Sequence, residues 1–178
     1  MKWLLIALVA IGGLLWWRVS AFSKRKEPRK GEPAPEFALP DQEGRTRSIA
    51  EFRGKWLALY FYPRDDTPGC TKQACAFRDD WNKLEALGTQ VVGVSVDDVE
   101  SHLDFAREYY LPFPLLADKG GTVAARYGSL RDLGLIKFAR RNTFLIDPQG
   151  TIAQVYLSAD AAGNSREVIE DLQRLQRG

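Results

Sequence analysis

The chain is poor in the residues that most often carry chemistry. Its 178 residues include two cysteines, one histidine and one methionine. With so few soft ligands, no metal-ligand cluster can be assembled from sequence neighbours. No glycine-rich phosphate loop, internal repeat or low-complexity tract is present. Charge of a single sign is also lacking, since the net charge is +2. That small value conceals an asymmetry: residues 1–30 carry seven Lys/Arg against one Glu, whereas residues 31–178 carry 18 against 22. The basic cluster belongs to the leader and the remainder is mildly acidic, which gives a nucleic-acid role little support. Hydrophobic content of 45% and charged content of 27% describe a folded globular chain of one domain plus an extension.

The extension begins Met1-Lys2 and runs uncharged from Trp3 to Trp17 before Arg18. Fifteen residues rise about 22 Å as a helix, short of the roughly 30 Å hydrocarbon core. Extending the span to Phe22 requires Arg18 to snorkel. Trp3, Trp16 and Trp17 suit the two membrane interfaces. The reading is a single-pass N-terminal membrane anchor over residues 1–22. A cleavable signal peptide ending near Val19-Ser20-Ala21 is the rival. It fits less well, because two tryptophans and an arginine precede that site and the basic cluster follows the apolar run. Either orientation across a membrane suits this pattern. Residues 23–35 are basic and proline-rich and read as a linker, with the domain over 36–178.

Within that domain, β-branched and aromatic runs at Trp56–Tyr62 and Val91–Val96 predict strands, and Phe37–Pro40 a short one. Pro68-Gly69 opens a helix expected to reach Leu87, and Glu100–Tyr110 predicts another before Pro112. A short helix is expected over Thr122–Tyr127. Asp147-Pro148-Gln149-Gly150 joins Thr143–Ile146 to Ile152–Tyr156 as a hairpin. Ser165 precedes a C-terminal helix with Val168, Ile169, Leu172 and Leu175 on one face. Alternating strands and helices closed by a hairpin predict an α/β sandwich of the thioredoxin kind, with a central mixed sheet and helices on both faces.

Both cysteines fall in one window, Cys70 and Cys75, where the first strand meets the helix. A helix N-terminus offers unpaired N–H groups and a positive dipole end, and both favour a thiolate there. Taken alone, the pair also fits two small buried hydrophobes. The surroundings argue for chemistry. Pro63 stiffens the loop, Thr67 is placed to orient a bound oxygen, and Pro68-Gly69 permits close backbone approach. A thiolate attacks a hydroperoxide oxygen to give a sulfenic acid, which a second thiol converts to a disulfide. Asp65 and Asp66 read as solvated loop acids and His102 as a residue on a helix face.

Tyr60-Phe61-Tyr62-Pro63, Thr67-Pro68-Gly69-Cys70-Thr71 and Ala74-Cys75-Ala76-Phe77-Arg78-Asp79 resemble the peroxiredoxins of the PrxQ, or bacterioferritin-comigratory-protein, group. The group's P-x-x-x-T-x-x-C signature is complete as Pro63, Thr67 and Cys70. Val94–Asp97, Pro112–Asp118 and Arg141–Asp147 are similar to its later segments, so the match runs from about Gly31 to the C-terminus. The resemblance implies a thiol peroxidase acting on hydrogen peroxide and organic hydroperoxides. Cys70 becomes the peroxidatic nucleophile, Cys75 the resolving thiol, Thr67 and Arg141 the peroxide-holding groups, and Pro63 a shield. It further implies recycling by thioredoxin or a similar dithiol, a monomer, and no cofactor or metal. Strand alternation puts Arg140 and Arg141 on opposite faces, and Arg141 is chosen for the site.

Two other anchored thioredoxin-like classes compete. Thiol–disulfide oxidoreductases use C-x-x-C, and Sco-type copper chaperones use C-x-x-x-C with a distant histidine. The spacing here is C-x-x-x-x-C, which matches neither. Residues five apart on a continuous helix have Cα atoms about 8.6 Å apart and point some 140° away from each other. A disulfide needs Cα atoms within roughly 7 Å. A helix carrying both cysteines must therefore unwind, over about residues 69–78, before they can join.

Overall fold

The computed structural model describes residues 27–177. The expected anchor at residues 1–22 and the start of the linker lie outside the described residues. Among the described residues, no helix is long and apolar enough to cross a membrane.

A five-stranded mixed sheet forms the centre. In chain order its strands are β3 (Trp56–Phe61), β4 (Thr89–Ser95), β5 (Leu115–Ala117), β8 (Thr143–Ile146) and β9 (Ile152–Tyr156). They lie side by side as β5-β4-β3-β8-β9. β3 is parallel to β4 and antiparallel to β8, and β8 pairs antiparallel with β9. Two small ribbons flank this sheet: β1 (Ala38–Pro40) with β2 (Thr46–Ser48), and β6 (Leu130–Asp132) with β7 (Lys137–Ala139). The helices are α1 (Pro68–Asp79), α2 (Trp81–Ala86), α3 (Val99–Glu108), α4 (Thr122–Arg126) and α5 (Asn164–Leu175).

The near-continuous apolar character of β3 follows from its central place, because both of its faces are covered. Leu57, Leu59 and Phe61 point to one side, into a core with Phe37, Ile49, Phe52, Val123 and Tyr127. Ala58 and Tyr60 point to the other, into a core with Cys70, Ala74 and Phe77 of α1, Phe105 of α3, and Val168 and Leu172 of α5. The two-residue period of a strand thus assigns Cys70 to one layer of the sandwich.

Gly93 of β4 lies between Tyr60 of β3 and Leu115 of β5 in the register. A Cβ there would fall 2.7 Å from Leu115 Cδ2 and 2.8 Å from Tyr60 Cζ and Oη. Gly93→Ala should therefore lower stability by about 1–3 kcal/mol through overpacking. Thermal unfolding of the two proteins, with a lower Tm for the variant, checks this.

Three sequence expectations need correction. The helix expected from Pro68 to Leu87 breaks at Asp80, whose backbone leaves helical geometry at φ −92°, ψ 6°. The Asp80 carboxylate accepts hydrogen bonds from Lys83 Nζ and Ser165 Oγ, each at 2.8 Å. Ser165 is consequently not a helix cap: α5 begins at Asn164, and Ser165 ties its first turn to Asp80. Part of the expected linker belongs to the domain, since Gly31 N donates to Ile152 O and Ala34 N to Gly150 O. The turn of the β6–β7 ribbon exposes Leu133, Leu135 and Ile136.

Candidate active site

Thr67 precedes α1 in an extended conformation, and Pro68 occupies the first helical position, where a missing N–H costs nothing. The first intrahelical bond runs from Thr71 N to Thr67 O. The N–H groups of Gly69 and Cys70 therefore lie in the unpaired first turn. Cys70, in the third helical position, is 1% exposed.

Arg141 reaches the thiol. Its Nη2 donates to Cys70 Sγ at 3.4 Å, while Nη1 donates to Gln73 Oε1 at 2.7 Å. Gly69 makes room for this guanidinium, because a Cβ there would sit 3.0 Å from Nη2. The backbone carrying Arg141 is pinned on both sides. Ala159 N donates to Arg141 O, and Phe61 N to Asn142 O. The buried Asn142 side chain bonds Ser129 Oγ and Ser158 N. Arg140 turns elsewhere, with Nη1 3.6 Å from Glu27 Oε1. Of the two arginines it is Arg141 whose side chain meets Cys70, and both precede β8 rather than lying within it.

Gln73 was not anticipated. It stands one turn beyond Cys70 on α1 and is fully buried. Its Nε2 donates to Asn164 Oδ1 at 3.1 Å, which also accepts from Thr143 Oγ1 at 2.6 Å. A buried polar chain thus links the thiol, through Arg141 and Gln73, to β8 and α5. The i, i+3 spacing from Cys70 was the available signal, since it puts both residues on one helix face.

The expected role of Thr67 meets a different contact. Its hydroxyl donates to Arg64 O at 3.1 Å rather than turning into the first helical turn. Pro63 sits half-buried where the chain leaves β3. Cys75 lies on α1 with Cys70, and both thiols are free.

The reading of Asp65 as a solvated acid is overturned. Asp65 is buried and accepts from Tyr62 Oη, Ser101 Oγ and His102 Nδ1, each at 2.7 Å. His102, expected on a helix face, is fully buried in this contact. Asp65 N donates to Asp97 Oδ2 at 2.9 Å, and Tyr109 Oη donates to Asp66 Oδ1 at 2.9 Å. These bonds clamp the loop that leads to Cys70 onto α3 and the end of β4. Burial opposes ionisation of Asp65, but the bonds and charge of His102, with those of Tyr62 and Ser101, hold its carboxyl below the usual value of 3.8. Burial also pushes the Tyr62 hydroxyl far up, so it stays a donor.

A carboxyl lowered in the folded state stabilises the protein above its unfolded value, and that contribution is lost as pH falls through the folded value. The clamp should therefore weaken below about pH 4, where an unfolded aspartate titrates. Asp65→Asn should cost about 1–3 kcal/mol at neutral pH and flatten this acid limb. Denaturant titrations of both proteins between pH 3 and 7 read the difference.

A family model described as AhpC/TSA family matches residues 30–155. The chain belongs to the AhpC/TSA family. It is 46% identical over 143 residues to a peroxiredoxin bcp of Coxiella burnetii, covering 78% of this chain and 95% of that protein. It is 45% identical over 139 residues to the chloroplastic peroxiredoxin Q of Gentiana triflora, covering 78% of this chain and 62% of the plant protein. Among solved structures, peroxidoxin BcpB of Mycobacterium tuberculosis superposes with a TM-score of 0.80 at 33% identity, covering 84% of this chain and 99% of that one. The thioredoxin-like fold expected from element order agrees with this peroxidoxin structure, and the PrxQ resemblance agrees with the two relatives. The C-x-x-x-x-C spacing disfavours the Sco reading, and the two relatives named above are peroxiredoxins. Among the described residues, no group of three or more His, Cys, Asp and Glu is arranged to hold a metal ion.

Proposed function

We propose that the chain is a thiol-dependent peroxidase whose nucleophile is Cys70. The supporting observation is the 3.4 Å contact from Arg141 Nη2 to a buried thiol in the first turn of a helix. The guanidinium and the unpaired N–H groups favour the thiolate, and the same donors meet negative charge on a bound oxygen. The thiolate attacks the terminal oxygen of R–O–O–H. An S–O bond forms, the O–O bond breaks, and the departing R–O⁻ takes a proton to leave as R–OH. Cys70 is left as a sulfenic acid. Thr67, rotated away from Arg64 O, offers its hydroxyl to the peroxide, and Pro63 closes the loop side of the site.

Cys75 then attacks Cys70 Sγ, forming the disulfide and releasing water. A dithiol of the thioredoxin type restores both thiols by exchange. Because the two residues share α1, this step needs the helix to unwind first. Both hydrogen peroxide and organic hydroperoxides are substrates in this reading, and the working unit is a monomer. The uncharged run Trp3–Trp17 and its flanking tryptophans support an N-terminal single-pass anchor that holds the domain at a membrane.

The test is NADPH-coupled hydroperoxide consumption by the full chain with thioredoxin and thioredoxin reductase. Peroxide-dependent NADPH oxidation is expected from the wild type and none from Cys70→Ser. Equal rates from the two proteins would remove Cys70 from the chemistry.

A further inference from the structure

The β6–β7 ribbon ends in Leu133-Gly134-Leu135-Ile136, a turn closed by Leu133 N donating to Ile136 O at 2.9 Å. Turns of this kind are usually built from Asn, Asp, Ser, Gly and Pro. Here three of the four residues are aliphatic, and Leu133, Leu135 and Ile136 are 67%, 103% and 63% exposed. Nothing in the peroxidase chemistry uses them. They cover no core: none of the three belongs to either buried hydrophobic cluster.

The place where the leader joins the domain says what covers them. Glu27, the first described residue, packs at the base of this ribbon: its backbone N is 2.7 Å from where a Cβ on Gly128 would lie. Its carboxylate lies 3.6 Å from Arg140 Nη1, and Arg140 N donates to Ser129 O across the ribbon's base. Three residue pairs separate base from tip, a distance of about 10 Å. Nine residues, 18–26, connect Glu27 to the uncharged run ending at Trp17, and fully extended they span at most about 30 Å. A bilayer holding that run therefore lies within reach of the tip. Arg131, Asp132 and Lys137 flank the tip, all exposed; Lys137 Nζ pairs with Asp132 Oδ2 at 3.3 Å, and Arg131 is the cation that suits anionic headgroups. A groove of about 310 Å³ opens at the same junction, where Pro28, Val155 and Leu157 line it together with Arg29 and Lys30.

We propose that Leu133, Leu135 and Ile136 insert into the interface of the bilayer that holds the leader, making the β6–β7 ribbon a second, lipid-facing contact of the domain. This rests on the reading of residues 1–22 as an anchor. Two contacts fix the orientation of a tethered domain where one leaves it free to swing, so the ribbon sets which face of the peroxidase meets the membrane.

The experiment uses the full chain with p-benzoylphenylalanine in place of Leu135, reconstituted into phosphatidylcholine–phosphatidylglycerol vesicles. The same residue in place of the exposed Glu85 on α2 is the control. Flotation with the vesicles reports the anchor, and mass-shifted lipid adducts after irradiation report the tip. The expected result is flotation of both proteins and a several-fold excess of lipid adducts at position 135. Flotation with equal adducts at 135 and 85 overturns the inference and leaves the anchor standing. Protein–protein adducts at 135 overturn it in favour of a second copy of the chain. Failure to float overturns both readings.

Discussion

Arg141→Ala should lower the rate at which hydroperoxide oxidises the reduced protein by about 10²–10³-fold, the loss typical for removing one preorganised donor from a reacting oxyanion. The size of the effect follows from the position of the guanidinium. One nitrogen is held by Gln73 Oε1 at 2.7 Å, and the other reaches Cys70 Sγ at 3.4 Å. The group thus needs no reorganisation to meet charge that passes from sulfur to the departing oxygen. Arg141→Lys should recover only a fraction of the rate, because an ammonium cannot bridge Gln73 and the thiol as a planar fork does. Arg140→Ala should leave the rate unchanged, since Arg140 faces Glu27. Stopped-flow oxidation of the pre-reduced proteins under excess peroxide checks all three. A rate for Arg141→Ala close to that of wild type would detach the arginine from the chemistry.

Cys75→Ser should consume one equivalent of hydroperoxide per chain and then stop in the thioredoxin-coupled assay, with Cys70 held as a sulfenic acid. The wild type should turn over many times. Both positions lie on α1, so the disulfide cannot form on the intact helix. The disulfide form should therefore lose amide-exchange protection over about residues 69–78, while β3 and β8 keep theirs. Unwinding also removes Gln73 from Arg141, so the arginine loses its holder in the same step that consumes the sulfenic acid. Unchanged protection over α1 in the disulfide form would contradict this route.

The parts of this molecule that were legible in sequence are those whose causes are local. β3 and β4 declared themselves as apolar runs, because strands covered on both faces lack alternation. The active-site loop was legible because Pro63, Thr67 and Cys70 stand on one short segment and act through a helix start. Arg141 lies 71 residues from Cys70, and its choice over Arg140 needed the resemblance as well as alternation. What stayed hidden depends on contacts between distant segments. Asp65 looks like a solvated loop acid until Ser101 and His102 are brought against it from α3. The break at Asp80 is invisible in the apolar spacing of Phe77, Trp81 and Leu84, which continues a helical stripe. It reflects a carboxylate drawn to Ser165, 85 residues away. The β6–β7 ribbon has strands of only three residues, too short for any periodicity to show.

The most direct measurement of the central claim is intact and peptide mass spectrometry of the reduced full chain after one equivalent of hydrogen peroxide. Wild type should lose two hydrogens and yield a peptide cross-linked between Cys70 and Cys75. Cys75→Ser should instead gain one oxygen, located on Cys70. Oxygen gained at Cys75 in a Cys70→Ser variant, as fast as the wild type reacts, would contradict the assignment of Cys70 as the nucleophile.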